Sequence, residues 1–390
     1  MGERLTVRVI QELSQIEEIR SSWESWQSHP NAHLDDYRLR FQYRPEFLRP
    51  HIIVVEREGK PDALLVGRLD RATPEFKFGK WRVFKTEARS LSFLYGGMLG
   101  QDSPENCQLM VDEILQSLRQ GVADFAVLNH VRKGSPILEI AQRCPARRQR
   151  DAAPVLELHC GMTVPRKIEE VYSRLKSDYR SEVRRKLRKV RADFHGEVKL
   201  VSFRQPTEIA SMVETVESIA RKTYQRGIGV GFIDTPEMRA RLELAARRGL
   251  LRAYVLHFAS EASAFCVGGL YRGVFYGEYV GYDPQFNDYS PGTLLLMLML
   301  EEFCQDESVR EYDFGYGSEW YKQRFGDRQW QEALVTIYAP TLRALRLKAL
   351  RTILSSADRG ARAILERAHL IGKARRAWRQ KALPRESTPR

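Results

Sequence analysis

The 390-residue chain lacks the usual marks of a secreted or membrane-spanning protein. Its five cysteines, Cys107, Cys144, Cys160, Cys266 and Cys304, are odd in number, widely spaced and without a CxxC pair. That spacing signals neither a disulfide framework nor a zinc site. The eight histidines form no ligand cluster, so no metal is expected. The longest apolar run is Leu294–Leu300, far short of the ~20 residues of a spanning helix. The opening MGERLTVRVI alternates like a strand and has no signal-peptide apolar centre. A reduced, cytoplasmic protein is the expectation. The GxGxxG spacing of a dinucleotide loop is missing, since Gly227, Gly229 and Gly231 follow no strand; they read as a mobile loop and a candidate lid. Asp313-Phe314-Gly315 comes without the other parts of a kinase.

Charge is present in excess but is confined. The net charge is +13, and residues 341–390 alone hold 14 Lys/Arg against 3 Asp/Glu. The body is therefore not a uniformly basic nucleic-acid binder, and nucleic acid is not an expected partner. The tail pairs its arginines with Leu342, Leu345, Leu350, Ile353 and Leu354, then Ile364, Leu365 and Ile371. This reads as two amphipathic helices interrupted near Gly360. Such a segment packs on its own domain, on a partner, or peripherally on an anionic membrane face.

The remainder reads as two α/β halves. In the first, strands are expected at Leu5–Ile10, 51–55, 63–69, 91–99, 122–130 and 152–159. REGKPD is a hairpin signal, and Ser103-Pro104-Glu105 caps a helix. Met162–Pro165 reads as a linker. Beyond it an apolar stripe from Ile168 to Val190 has helical spacing. Strands follow at Val198–Phe203, Leu251–Phe258, Ala264–Tyr271, Val274–Tyr282, Glu311–Phe314 and Glu332–Tyr338. The expected domains are 1–161, 162–340 and a tail, 341–390.

The most informative stretch is Val280-Gly281-Tyr282-Asp283-Pro284, then Tyr289-Ser290-Pro291-Gly292-Thr293. Ser290 suits an N-cap and Pro291 the first helical position. The amides of Gly292, Thr293 and Leu294 would then lack intrahelical partners, a favourable end for an anion. An ordinary capped helix is the plainer reading of the same residues.

GYDPQFNDYSPGTLLL, EYDFGYGSEWYKQRFG and LKSDYRSEVRRKLRK in this order resemble the GNAT acyltransferase superfamily. The branch they look like is the cellulose-biosynthesis-type acetyltransferases of bacterial polysaccharide systems. The resemblance is strong over 164–338 and weaker over the first half, and the tandem also resembles the aminoacyltransferases of peptidoglycan cross-bridges. It implies an α/β protein of tandem GNAT-like (acyl-CoA N-acyltransferase) domains with mixed, largely antiparallel sheets, plus the basic helical tail. It implies acetyl-CoA or another acyl-CoA as co-substrate. The pantetheine arm would lie along the strand at Tyr279, Val280 and Gly281, with the pyrophosphate at Ser290, Gly292, Thr293 and Leu294. Glu278, the one carboxylate on that strand, would accept the amine proton, and Tyr321 would protonate the leaving thiolate. Tyr289-Ser-Pro-Gly replaces the usual glycine-rich phosphate loop.

Asp313 either orients the acceptor or caps a turn. Arg180 and Arg184, on one helical face, are candidate phosphate contacts, as is Lys322; a solvated face is the alternative. The implied activity is N-acyl transfer to an amine of a sugar or cell-envelope precursor. Aminoacyl transfer from charged tRNA, or a non-catalytic accessory role in polysaccharide synthesis, are the other readings.

Overall fold

The computed structural model describes residues 4–367, apart from 79–80, 152–153, 228, 230 and 318. Its described residues fall into two compact units, one built from 4–157 with 330–367 and the other from 158–329.

In the first unit β1 (Leu5–Ile10) is followed by α1 (Arg20–Trp26) and α2 (Leu34–Tyr43). Then come β2 (Phe47–Pro50), β3 (Ile52–Arg57), β4 (Lys60–Ala72), β5 (Glu75–Phe78), β6 (Trp81–Lys85) and β7 (Ala88–Gly100). The expected hairpin joins β3 to β4, with Arg57 opposite Lys60 and both Glu58 and Gly59 at positive φ. Next are α3 (Pro104–Arg119), β8 (Phe125–Arg132) and α4 (Pro136–Arg143). Ser103 caps α3, its hydroxyl accepting from the Asn106 amide at 3.2 Å. β7 and β8 pair in parallel only from Ser90/Phe125 to Phe93/Leu128. Beyond that they part, β7 continuing along β4.

The second unit opens with β9 (Val155–Thr163), α5 (Ile168–Arg174) and α6 (Ser177–Asp193). The apolar stripe spans two helices because Leu175 and Lys176 are extended, yet Val171, Leu175, Tyr179, Val183 and Val190 share one core. Then come β10 (Val198–Phe203), α7 (Ile209–Ala220), α8 (Tyr224–Gly227), α9 (Pro236–Arg247), β11 (Leu251–Phe258), β12 (Glu261–Tyr271) and β13 (Val274–Tyr282). Three elements close the unit: α10 (Pro291–Gln305), β14 (Glu311–Tyr316) and α11 (Trp320–Phe325). The strand order is β9-β14-β13-β12-β11-β10. One face of this sheet shares a core with α5, α6 and α10, the other with α7 and α9.

β15 (Arg328–Tyr338) and α12 (Leu342–Arg367) complete the described residues. Here the expected boundaries need correction. Met162 is no linker residue: it is fully buried in β9, which pairs antiparallel with β14. β15, expected in the second domain, pairs antiparallel with β8 of the first unit. Each half of the sequence therefore supplies a strand to the other unit. α12 runs through Gly360 without interruption. Helix hydrogen bonding tolerates one glycine at a cost of about 1 kcal/mol. Its start packs on the first unit: Ala344 is buried there and Arg351 donates to Thr336 Oγ1 at 2.8 Å. The further tail helix lies outside the described residues.

Candidate active site at a strand fork

The second unit repeats the fork of the first. β13 and β14 pair in parallel over Val274–Tyr276 and Glu311–Asp313 only. β13 then continues along β12 to Tyr282, and β14 along β9 to Tyr316. Past Tyr276 one edge of β13 is left without a strand partner among the described residues. Val280, Tyr316 and Trp320, all exposed apolar side chains, lie on the parting strands and at the head of α11.

A bulge lies just past the last parallel pair. Val267 opposes Tyr279 but Gly268 opposes Gly277, so Glu278 is the extra residue. Gly268 permits this approach, since a Cβ there would sit 2.1 Å from the Tyr276 carbonyl oxygen. The Phe275 and Tyr312 rings pack 4.9 Å apart in the core that includes α10. By alternation Tyr276 and Asp313 face the opposite way. Burial, helped by the charges of Asp313 and Glu311, pushes the Tyr276 phenol up. Glu278, exposed, meets Arg241 of α9 at 3.4 Å.

The expected cofactor residues gather near the fork. Tyr279 packs edge-on to Phe232 at 5.7 Å, Val280 offers its carbonyl to Gln225 at 3.5 Å, and Gly281 is packed among Phe265 and Thr223. Asp283 shapes the following turn, accepting from the Gln285 amide at 3.0 Å and pairing with Lys222 at 2.6 Å. The start of α10 departs from expectation. Ser290 is at the N-cap but left-handed, and its side chain caps nothing. Its carbonyl instead takes the Thr293 and Leu294 amides at 3.0 and 3.2 Å. Of the three amides expected to be open, only that of Gly292 is without a partner among the described residues, and Gly292 is exposed. Tyr179 of α6 lies 3.4 Å from Thr293, oxygen to oxygen.

The cations near this helix start are not those the helical spacing picked out. Arg184 stacks on Tyr172 at 5.0 Å, and Arg180 is half-buried one residue past Tyr179. Lys186 donates to the Asp288 carbonyl, Lys189 lies 4.9 Å over Tyr289, and Arg324 lies 4.2 Å over Tyr179 and 5.2 Å over Trp320. Lys322 is a correction. It is buried, its ammonium held by the Tyr316 carbonyl and by Glu319 at 3.2 Å, so it ties α11 to β14 instead of facing a substrate. Tyr321 is half-buried, edge-on to Phe314 at 6.1 Å. Asp313 both closes a turn onto the Gly315 amide and pairs with His159, each at 2.7 Å. Gly227, expected in a loop, ends α8, and Glu217 takes Arg226 at 3.0 Å and the Asp234 amide at 3.2 Å.

Residues 177–323 match the family model described as an acetyltransferase (GNAT) domain. Over that stretch the chain is similar to a GNAT acetyltransferase domain. No curated protein matches the chain. Among solved structures it is similar to FemX, at 10% identity with a TM-score of 0.55, over 83% of this chain and 95% of that one. It is also similar to the C-terminal domain of a putative lysylphosphatidylglycerol synthetase from Agrobacterium fabrum. The identity there is 10% and the TM-score 0.52, over 87% and 96% of the two chains. Both likenesses run across both units, and the fold is a tandem GNAT-like α/β fold with mixed sheets. Within the second unit, sequence reading missed His159, Arg241 and Arg324. Asp313, Glu278 and Tyr179, which they meet, are distant in sequence, and the one local signal for His159 was the alternation that puts it and Gly161 on one face of a strand.

Proposed function

We propose that the protein is an acyl-CoA-dependent N-acyltransferase whose acceptor is an amine of a sugar or cell-envelope precursor. The fork carries this reading: an open strand edge beside the start of α10 suits an extended thioester arm ending in a phosphate group. The Gly292 amide and the positive end of the α10 dipole favour the diphosphate. Lys186, Lys189 and Arg324 add positive charge. Direct transfer needs a neutral amine, a polarised carbonyl and a proton for the thiolate. Glu278, set out of the strand by its bulge, is the proton acceptor in this reading, and Tyr321 is the donor to sulfur. The C–N bond forms as the C–S bond breaks; the nitrogen gives up one proton and the thiolate takes one. Holding both substrates in one cleft supplies much of the acceleration.

The test is calorimetry with CoA, followed by an acceptor screen with acetyl-CoA read as free thiol. Saturable binding and amine-dependent thiol release are expected; neither would be seen with a non-catalytic accessory protein. The second reading, aminoacyl transfer from charged tRNA, rests on the resemblance to cross-bridge enzymes. It predicts retention of aminoacyl-tRNA in filter binding with no response to CoA. Docking of the tail on a membrane or a partner is a further proposal, tested by vesicle co-sedimentation of the full chain.

A further inference from the structure

Asp313 belongs to the last parallel pair before the strands part, and it points to the same face as Tyr276. Its Oδ1 accepts two hydrogen bonds, from His159 Nε2 and from the Gly315 amide, both at 2.7 Å. The second bond depends on the bulge at Phe314 and on the positive φ of Gly315, which turns the amide back. Two donors on one oxygen fix the plane of the carboxylate. The lone pairs of Oδ2, which has no hydrogen-bond partner among the described residues, are left for another donor. The imidazole behind it is 1% exposed, whereas the Asp313 side chain keeps 12%.

The surrounding charges show which donor is missing. Glu311 has Arg328 at 2.7 Å, Glu278 has Arg241 at 3.4 Å and Glu319 has Lys322 at 3.2 Å. Each neighbouring carboxylate has its own arginine or lysine. Asp313 has an imidazole and an amide instead. A carboxylate so placed pairs best with a cation brought from outside, through a charge-assisted hydrogen bond.

We propose that Asp313 captures the acceptor as a primary ammonium ion, and that buried His159 is the residue that positions Asp313 to do so; the ammonium loses one proton to Glu278 to become the neutral nucleophile and a second as the C–N bond forms, which replaces the proton Tyr321 gives to the thiolate. The inference rests on the acyltransferase reading and adds the charge of the acceptor to it. His159 touches no substrate. Its part is to keep one carboxylate oxygen occupied and the other turned outward.

The experiment is nitrogen-resolved NMR of the histidine side chains of the full chain, with glucosamine and ethanolamine as probes and glucose and ethylene glycol as their uncharged counterparts. The amines should move the His159 resonance saturably, the alcohols should not, and Asp313→Asn should abolish the response. In acyl transfer, His159→Ala should raise KM for the amine about tenfold, equivalent to ~1.4 kcal/mol, with kcat nearly unchanged. His159→Gln, which keeps an N–H near the same point, should restore KM to within about threefold. Equal shifts with amine and alcohol, no shift with any amine, or a loss of kcat at unchanged KM would each overturn the proposal. The NMR titration uses no acyl donor. CoA binding with a silent His159 therefore sinks the anchor alone, and a responsive His159 without CoA binding sinks the donor assignment alone.

Discussion

Glu278 owes its position to one extra residue in β13. Without the bulge the strand would alternate regularly; with it, Glu278 and Tyr279 both leave the α10 side. Glu278→Gln and Tyr321→Phe should each lower kcat about 100-fold, the low end of general acid–base effects. Steady-state rates at saturating acceptor decide this, and near-normal turnover in both removes them from those roles. Gly268→Ala probes the bulge itself. Its Cβ would press on the Tyr276 carbonyl, so strand or bulge must shift. A loss of roughly 1–3 kcal/mol in denaturant unfolding is expected, typical of overpacking. At this scale the sequence was partly legible. Glu278 is picked out in the sequence as the one carboxylate on its strand, but its place in a bulge is not visible there. His159 could not be found, because Asp313 lies 154 positions away and only the β9–β14 register joins them. Lys322 misled because a lysine in a motif looks the same whether it meets a phosphate or a backbone carbonyl.

Elements were more legible than their ends. Leu251–Phe258 and Val274–Tyr282 have the expected bounds, since apolar alternation there runs from turn to turn. The break between α5 and α6 was not visible, because no glycine or proline marks it and the apolar spacing carries across. The left-handed Ser290 was equally hidden. Serine before proline suits a side-chain cap, yet the backbone turns so that its carbonyl takes the first amides. Arg226 and the Asp234 amide meet on a single carboxylate, that of Glu217. Burial pushes Glu217 up, but bonds from Arg226, Arg221 and the Asp234 amide outweigh it and hold the group below its ordinary 4.5. A depressed carboxylate contributes its stability above that ordinary value and loses it as pH falls through the lower, folded one. Amide exchange at Asp234 should therefore speed up in acid. Glu217→Gln should give fast exchange already at neutral pH, and unchanged exchange in both would show that this carboxylate does not hold the amide.

At the scale of the whole molecule, the strand each half contributes to the other's unit escaped sequence reading. Alternation identifies a strand but not its partner, and β9 and β15 read as the natural closing strands of their own halves. Acid sensitivity of the first unit follows from His51, fully buried at the head of β3. Burial, with Arg49 nearby, lowers its imidazole to about 4. The unfolded chain takes up that proton near 6.5, so stability is complete above 6.5 and declines as pH falls toward 4. The loss is about 3 kcal/mol by linkage. Denaturant unfolding at pH 7 and pH 4 should show it, and His51→Gln should flatten the difference; an equal slope in that variant would trace the acid loss elsewhere.

The account as a whole turns on whether the fork beside α10 seats a CoA thioester. Gly292→Asp tests this cleanly. A Cβ at Gly292 meets only Tyr282, at 3.6 Å, and an acidic residue in the first turn suits the helix. The variant should fold normally while repelling a diphosphate. Calorimetric titration with CoA should give saturable binding to the unaltered protein, weakened at least about tenfold in Gly292→Asp. Equal affinity in the two proteins, or no binding to either, would contradict the account.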